Sequence, residues 1–448
     1  MPAAVATAVP VAAAVAVEAG IGADSGPSAE EIRRTVLPNG IRVVTEHMPG
    51  TRSVTTGFWV AIGARDEPAE IAGVSHFLEH LLFKGTEART ARQIAEAVDA
   101  VGGEMNAFTS REYTAYYTRL PDAELDLGLD ILSDVLTAPA FRDHEIEAER
   151  QVILEEILMD EDSPEDRVHT LLSAALFPDH PLGRDVAGEA DTVTAIERPD
   201  IRTFFDAHYR PRNLVVAAAG NLDHERVVAG VRDRFGDDEG GEPPHRAHPS
   251  VPPRPLEVLR RPTEQAHVAM GFRALGRRDP DRYALAVLNH VLGGGMSSRL
   301  FQEIREQRGL VYSVYSGVSS YSDTGALSIY AGTGPGRARE VIDLLDAEID
   351  RLLSDGITEG ELKVAKGYLE GSLVLGMEDS GGRMSRLGSA ETRLGETISV
   401  DQQVQRYREV TLDDVRRVTE RVLGASRTLA VVGPFDAKAF RDRVGISA

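Results

Sequence analysis

Apolar and polar positions change period along the chain, and each change marks an element. "IRVVTEHM" and "SVTTGFWVAIG" carry the β-branched and aromatic residues of half-buried or buried strands. "VSHFLEHLLFKGT" and "ARQIAEAVDAVGG" then switch to helical spacing, and "EMNAFTSREYTAYYTRL" returns to two strands. Helical periods follow in "AELDLGLDILSDVL" and "HEIEAERQVILEEILMDE", and "NLVVAAAGN" reads as a buried closing strand. "FGDDEGGEPPHRAHPSVPPRP" breaks the pattern: acidic and Gly-rich, then Pro-rich, it offers little to a packed core and predicts a linker. Beyond it the plan starts again. "AHVAMGFRALG" precedes the helix "RYALAVLNHVL", strands follow in "VYSVYSGVSSYSDTGALSIYAG", then helices in "AREVIDLLDAEIDRLLS" and "EGELKVAKGYLEGSLVLG", and "RTLAVVG" closes. A repeat of about 210 residues is a domain duplication, not a solenoid. The predicted units are a tail at 1–29, a first domain at 30–236, a linker at 237–255 and a second domain at 256–448.

Composition narrows the function. With 448 residues, 42% of them hydrophobic, the chain has enough material for two cores. A formal charge of −22 excludes the basic footprint that nucleic acid requires. The absence of cysteine leaves His, Asp and Glu as the ligands of any transition-metal site. The start, "MPAAVATAVPVAAAVAVEAGIGADSG", has no Lys or Arg before Arg33, and Pro10 and Glu18 interrupt its apolar run. It matches neither a basic-headed secretory signal nor an Arg-rich transit peptide, and it falls short of a membrane span. The expectation is a disordered tail on a cytoplasmic protein with no membrane partner; an atypical export signal is the other reading.

Candidate chemistry concentrates in "VSHFLEHLLFKGT". On a helix, His76 and His80 lie one turn apart on one face, where both imidazoles can reach one ion. Glu79 sits nearly on that face, placed to reach a water on the ion. The order H-x-x-E-H occurs in zinc peptidases. The same spacing also describes an amphipathic helix with two histidines, and the motif alone does not choose. A catalytic zinc needs a third ligand and an open position. Glu149 and Glu156, seven apart, share a face of one helix, while Glu155 is turned away by about 100°. Glu156 is thus a candidate ligand and Glu149 a candidate to orient a histidine from behind; a solvated acidic helix is the alternative. Setting Asp66 opposite Asp279 puts Asn289, Leu292 and Gly293 opposite His76, Glu79 and His80. One copy keeps the triad and the other lacks it, as expected of chemistry more than of packing. His144, His169, His208, His224 and His290 have no partner at ligand spacing, and His180 is expected to fix its loop.

With "LPNGIRVVTE", "GVSHFLEHLLFKGT", "GGEMNAFTSREYTAYY" and "AERQVILEEILMDEDSPED" in this order, the chain from about Arg33 onward resembles the inverzincin peptidases: pitrilysin, insulin-degrading enzyme and the mitochondrial processing peptidase. The 75 residues between His80 and Glu156 match the processing-peptidase branch, and the length resembles its half-size members. The resemblance implies an α+β fold of two duplicated domains, each a mostly antiparallel sheet with helices packed on it. It implies one Zn²⁺ per chain on His76, His80 and Glu156, Glu79 as the base that activates water, and Glu149 as a supporting acid. It implies that Asn106, Ala107, Phe108 and Thr109 form an edge strand along which substrate pairs, and that Arg305 and Tyr312 stabilise the developing oxyanion. Double-length members enclose substrate between two such halves. The implied partners are therefore a peptide or unfolded polypeptide and a second copy of the chain, or a related subunit in a heterodimer. The competing implication is a catalytically silent structural or substrate-binding subunit; such chains typically lose zinc-site residues, and all four are present here.

Overall fold

The computed structural model describes residues 32–236 and 240–444; the tail at 1–29 lies outside the described residues. The first half contributes β1 (Ile32–Val36), β2 (Arg42–His47), β3 (Ser53–Val60), β4 (Glu104–Thr109), β5 (Thr114–Pro121) and β6 (Leu214–Gly220). The second contributes β7 (Leu256–Arg260), β8 (Ala266–Ala274), β9 (Val311–Ser320), β10 (Gly325–Thr333) and β11 (Thr428–Gly433). Their orders are β1-β2-β6-β3-β5-β4 and β7-β11-β8-β10-β9. With β1 set aside the two sheets have one topology: β2 pairs parallel with β6 as β7 does with β11, and every other pairing is antiparallel. The duplication expected from the sequence is therefore present as an α+β fold of two sheet-and-helix halves.

Why the closing strands read as continuous apolar runs follows from what covers them. In β6, Leu214, Val216 and Ala218 face the first half's own helices. Val215, Ala217 and Ala219 face the opposite way, onto Met384 and Leu387 of the helix Ser380–Leu394, which belongs to the second half of the chain. The exchange is reciprocal. Helix Pro164–Leu176 leaves the first half and lays Val168, Leu172 and Leu176 on Ala269, Ala430 and Val432 of the second sheet. Each sheet is thus a filled layer between its own helices and one helix from the other half.

The predicted linker does not hang free where it is described. Arg246 bonds Asp66 Oδ2 at 2.7 Å and the Glu112 carbonyl at 2.8 Å. The Ala247 carbonyl accepts from Arg65, whose buried guanidinium also holds Glu112 at 2.8 Å and Asp323 at 2.7 Å across the two halves. The linker's prolines and glycines add little to a core, and charge pairs and hydrogen bonds anchor it. No described helix is long and apolar enough to cross a membrane.

Candidate metal centre

The helix Val74–Leu82 buries Val74, Phe77, Leu78, Leu81 and Leu82, which turns His76, Glu79 and His80 to the opposite face. Its entry is fixed by Gly73, whose φ of 100° suits glycine, and where a Cβ would meet the Ala187 carbonyl oxygen at 2.5 Å. The helix start is clamped by Glu67. Its two carboxylate oxygens accept from the Gly73 and Ser75 amides, each at 2.7 Å, satisfying donors that a helix N-terminus leaves without partners. Burial pushes the Glu67 carboxyl up to about 7, against the pull of those hydrogen bonds. Between about pH 4.5 and about pH 7 the folded chain therefore holds a proton that the unfolded chain has released. This contribution to stability is full below that window and is lost as pH rises through about 7. Metal-free wild type is expected to lose stability across this window relative to Glu67→Gln in urea titrations. Parallel pH profiles for the two proteins would exclude Glu67 as the source.

The third ligand comes from the helix Asp143–Asp162, which buries Ile146, Glu149, Arg150, Ile153 and Ile157 along one face. Arg150 lies over the Phe77 ring at 5.4 Å and helps to lock the two helices together. Glu156 points to the histidines: its Oε2 is 3.7 Å from His76 Nε2 and 3.6 Å from His80 Nε2. One ligand atom from each of the three residues lies within 4.8 Å of the other two, and no second such group occurs among the described residues. Two ligand atoms about 2.0–2.1 Å from a tetrahedral zinc stand about 3.3 Å apart, so these separations, too long for good hydrogen bonds, fit an ion between the three. Two imidazoles and one carboxylate are also a donor set that zinc accepts, with one coordination position left open.

Electrostatics treats the two histidines differently. Burial, then the neighbouring His80, pushes His76 down to about 4, which keeps its ring neutral and able to donate a lone pair. His76 Nδ1 is buried without a hydrogen-bond partner. Burial opposes a charge on His80, but the hydrogen bond to Glu149 and the charges of Glu156, Glu79 and Glu149 outweigh it and raise its pKa. Glu149 holds His80 Nδ1 at 3.2 Å and receives Lys84 Nζ at 2.8 Å. Burial works against its carboxylate, and these two donors lower its pKa nonetheless. Burial raises the Glu79 carboxyl, hydrogen bonding from Thr109 and the charge of His80 pull it back, and Glu156 adds to the rise. Glu79 is thus a partly buried base beside the candidate ligands.

Asn106, Ala107, Phe108 and Thr109 lie in β4, the edge of the first sheet, which pairs only with β5 and packs beside the histidine helix. Arg305 and Tyr312 come together elsewhere. The Arg305 guanidinium sits 5.4 Å from the Tyr312 ring centroid and 4.7 Å from that of Phe301, at the start of β9, and Tyr312 is 80% exposed. Neither side chain makes a hydrogen bond or ion pair with another described residue, those of the metal centre included. His180 does fix its loop: Nδ1 accepts from the Leu182 amide at 3.1 Å and Nε2 donates to the Ala247 carbonyl at 3.0 Å. Glu67 is the residue that sequence reasoning missed. A cap is sought next to the helix it serves, and this one reaches in from six and eight residues upstream.

The comparisons with known proteins place this duplicated α+β fold in a class of peptidase-like proteins. Residues 42–190 match Insulinase (Peptidase family M16), and residues 195–369 match the Peptidase M16 inactive domain. An uncharacterized zinc protease of Streptomyces coelicolor is 48% identical, over 91% of this chain and 90% of its own. Another, from Bacillus subtilis, is 40% identical over 90% of this chain and 98% of its own. In fold, the chain superposes on a protease from Helicobacter pylori with a TM-score of 0.84 at 22% identity, covering 90% of this chain and 99% of that one. The chain belongs to peptidase family M16.

Proposed function

We propose that the protein is a zinc-dependent endopeptidase that hydrolyses peptides or unfolded polypeptide segments in an enclosed chamber. The observation that carries this reading is the convergence of His76, His80 and Glu156 beside Glu79. The zinc-protease names of the relatives support it. His76, His80 and Glu156 hold one Zn²⁺ per chain, and Glu149 orients His80 through Nδ1. When bound, zinc supplies Lewis-acid activation of water and of the scissile carbonyl. Glu79 takes the proton of the attacking water and delivers it to the leaving amine. The unpaired edge of β4, from Asn106 to Thr109, aligns an extended substrate by backbone pairing, which tolerates many sequences. The test is metal analysis together with cleavage of an unfolded polypeptide mixture by wild type and by Glu79→Gln. A zinc-free or inactive wild type under zinc-replete conditions would remove the proposal.

Arg305 and Tyr312 are donors suited to an oxyanion, and the exposure of Tyr312 with no bond from either side chain to the metal-centre residues of its own chain supports a role in a partner's site. We therefore place them at the zinc site of the second chain of a homodimer. Mixing inactive Glu79→Gln with inactive Arg305→Ala subunits is then expected to restore turnover through hybrid dimers. No recovery, under conditions where labelled subunits are seen to exchange, would count against sharing between chains.

A further inference from the structure

Away from the metal centre, a cavity of about 370 Å³ opens between the helices Arg282–Gly293, Ser380–Leu394 and Val400–Glu409. Four arginines line it: Arg277, Arg282, Arg386 and Arg393. Glu396 is the single carboxylate among the described lining residues. In a chain of net charge −22, four converging guanidinium groups form a local field opposite in sign to that of the whole molecule.

Arg282 and Arg393 are held in place by neutral acceptors. Arg282 donates to the Tyr283 hydroxyl at 2.9 Å and the Arg277 carbonyl at 3.3 Å, and it lies 4.6 Å over the Tyr283 ring. Arg393 donates to Ser389 Oγ at 2.9 Å and the Ser320 carbonyl at 3.3 Å. Arg277, only 8% exposed, also bonds the Ser320 carbonyl; its nearest carboxylate is Glu112 at 3.5 Å, which is already engaged by Arg65 at 2.8 Å. The Nε–H groups of Arg277 and Arg393 are buried with no acceptor. Burial, and then the charge of Arg393, pushes Arg277 down to about 9. Guanidinium groups of like charge gathered on one cavity cost free energy, and an anion in the cavity would relieve that cost.

We propose that this cavity binds a phosphate-class oxyanion, gripped by Arg277, Arg282 and Arg393. Planar guanidinium forks converging from different elements match a tetrahedral oxyanion, whose oxygens accept from several directions. Tyr283 and Tyr407, packed edge to face at 5.4 Å, form an aromatic wall beside it. The grip would tie the loop after β8 and the helix start at Arg282 to the helix Ser380–Leu394, which covers the first sheet. Occupancy would therefore brace the start of the helix Arg282–Gly293 against the helix that covers the first sheet.

Calorimetry and thermal melts on the full chain test this, with inorganic phosphate or ADP added at constant ionic strength set by chloride. Saturable phosphate binding is expected, weakened about tenfold or more in Arg282→Gln and again in Arg393→Gln. Either variant carries the test if the other fails to fold. ADP binding more tightly than phosphate would identify a nucleotide as the occupant, through the tyrosine wall; equal binding would identify the free ion. Absence of saturable binding at millimolar phosphate, or affinity unchanged in the arginine variants, would overturn the proposal.

Discussion

Glu79→Gln is expected to keep its zinc and to lose about 10²–10⁴-fold or more in peptide turnover. The substitution isolates one function. Glutamine has nearly the same shape, keeps an oxygen that can accept from Thr109, and fills the same space beside His80 and Glu156. What it lacks is a site for the proton of the attacking water. The three candidate ligands do not include residue 79, so the metal content of the variant should match wild type. Metal analysis and turnover of an unfolded polypeptide, measured on the same preparation, separate the outcomes. Full turnover by the variant would sink the base assignment. Loss of zinc with loss of turnover would make Glu79 a ligand instead.

The parts of this centre that were legible in the sequence are those set by local geometry. One helical turn brings His76 to His80, two turns bring Glu149 to the face of Glu156, and neither fact depends on tertiary structure. The strands rich in apolar, β-branched and aromatic residues, such as β3 and β10, were equally plain. β1 and β7 were not read: IRRTV and LEVLR are short and largely polar, and they become strands because β2 and β11 offer them an edge. The two exchanged helices were also missed. Ser380–Leu394 carries three glycines, which argue against a helix on propensity alone. Gly388 is there because a Cβ would strike the Trp59 indole at 2.1 Å. That constraint comes from the other half of the chain, so no window of local sequence contains it. The Glu67 cap and the charge pairs of Arg65 and Arg246 likewise depend on residues that only the fold brings together.

Removing the groups around the ion should produce a graded loss that tests its position. His80→Ala and Glu156→Gln each delete a ligand, and both variants are expected to be purified without zinc and to be inactive. Glu149→Ala deletes no ligand. It removes the acceptor that fixes His80 Nδ1, at 3.2 Å, and leaves Lys84 without its carboxylate partner. Loss of such a supporting hydrogen bond typically weakens metal binding about 10–100-fold, because the imidazole must then pay its own orientational entropy. Glu149→Ala should therefore be zinc-poor at limiting metal and recover turnover when zinc is raised, whereas His80→Ala and Glu156→Gln should not recover. Zinc titrations followed by both bound metal and turnover distinguish these cases. A Glu149→Ala protein that behaves like Glu156→Gln at every zinc concentration would make Glu149 a ligand. A Glu156→Gln protein that retains stoichiometric zinc would mean that the third ligand lies elsewhere.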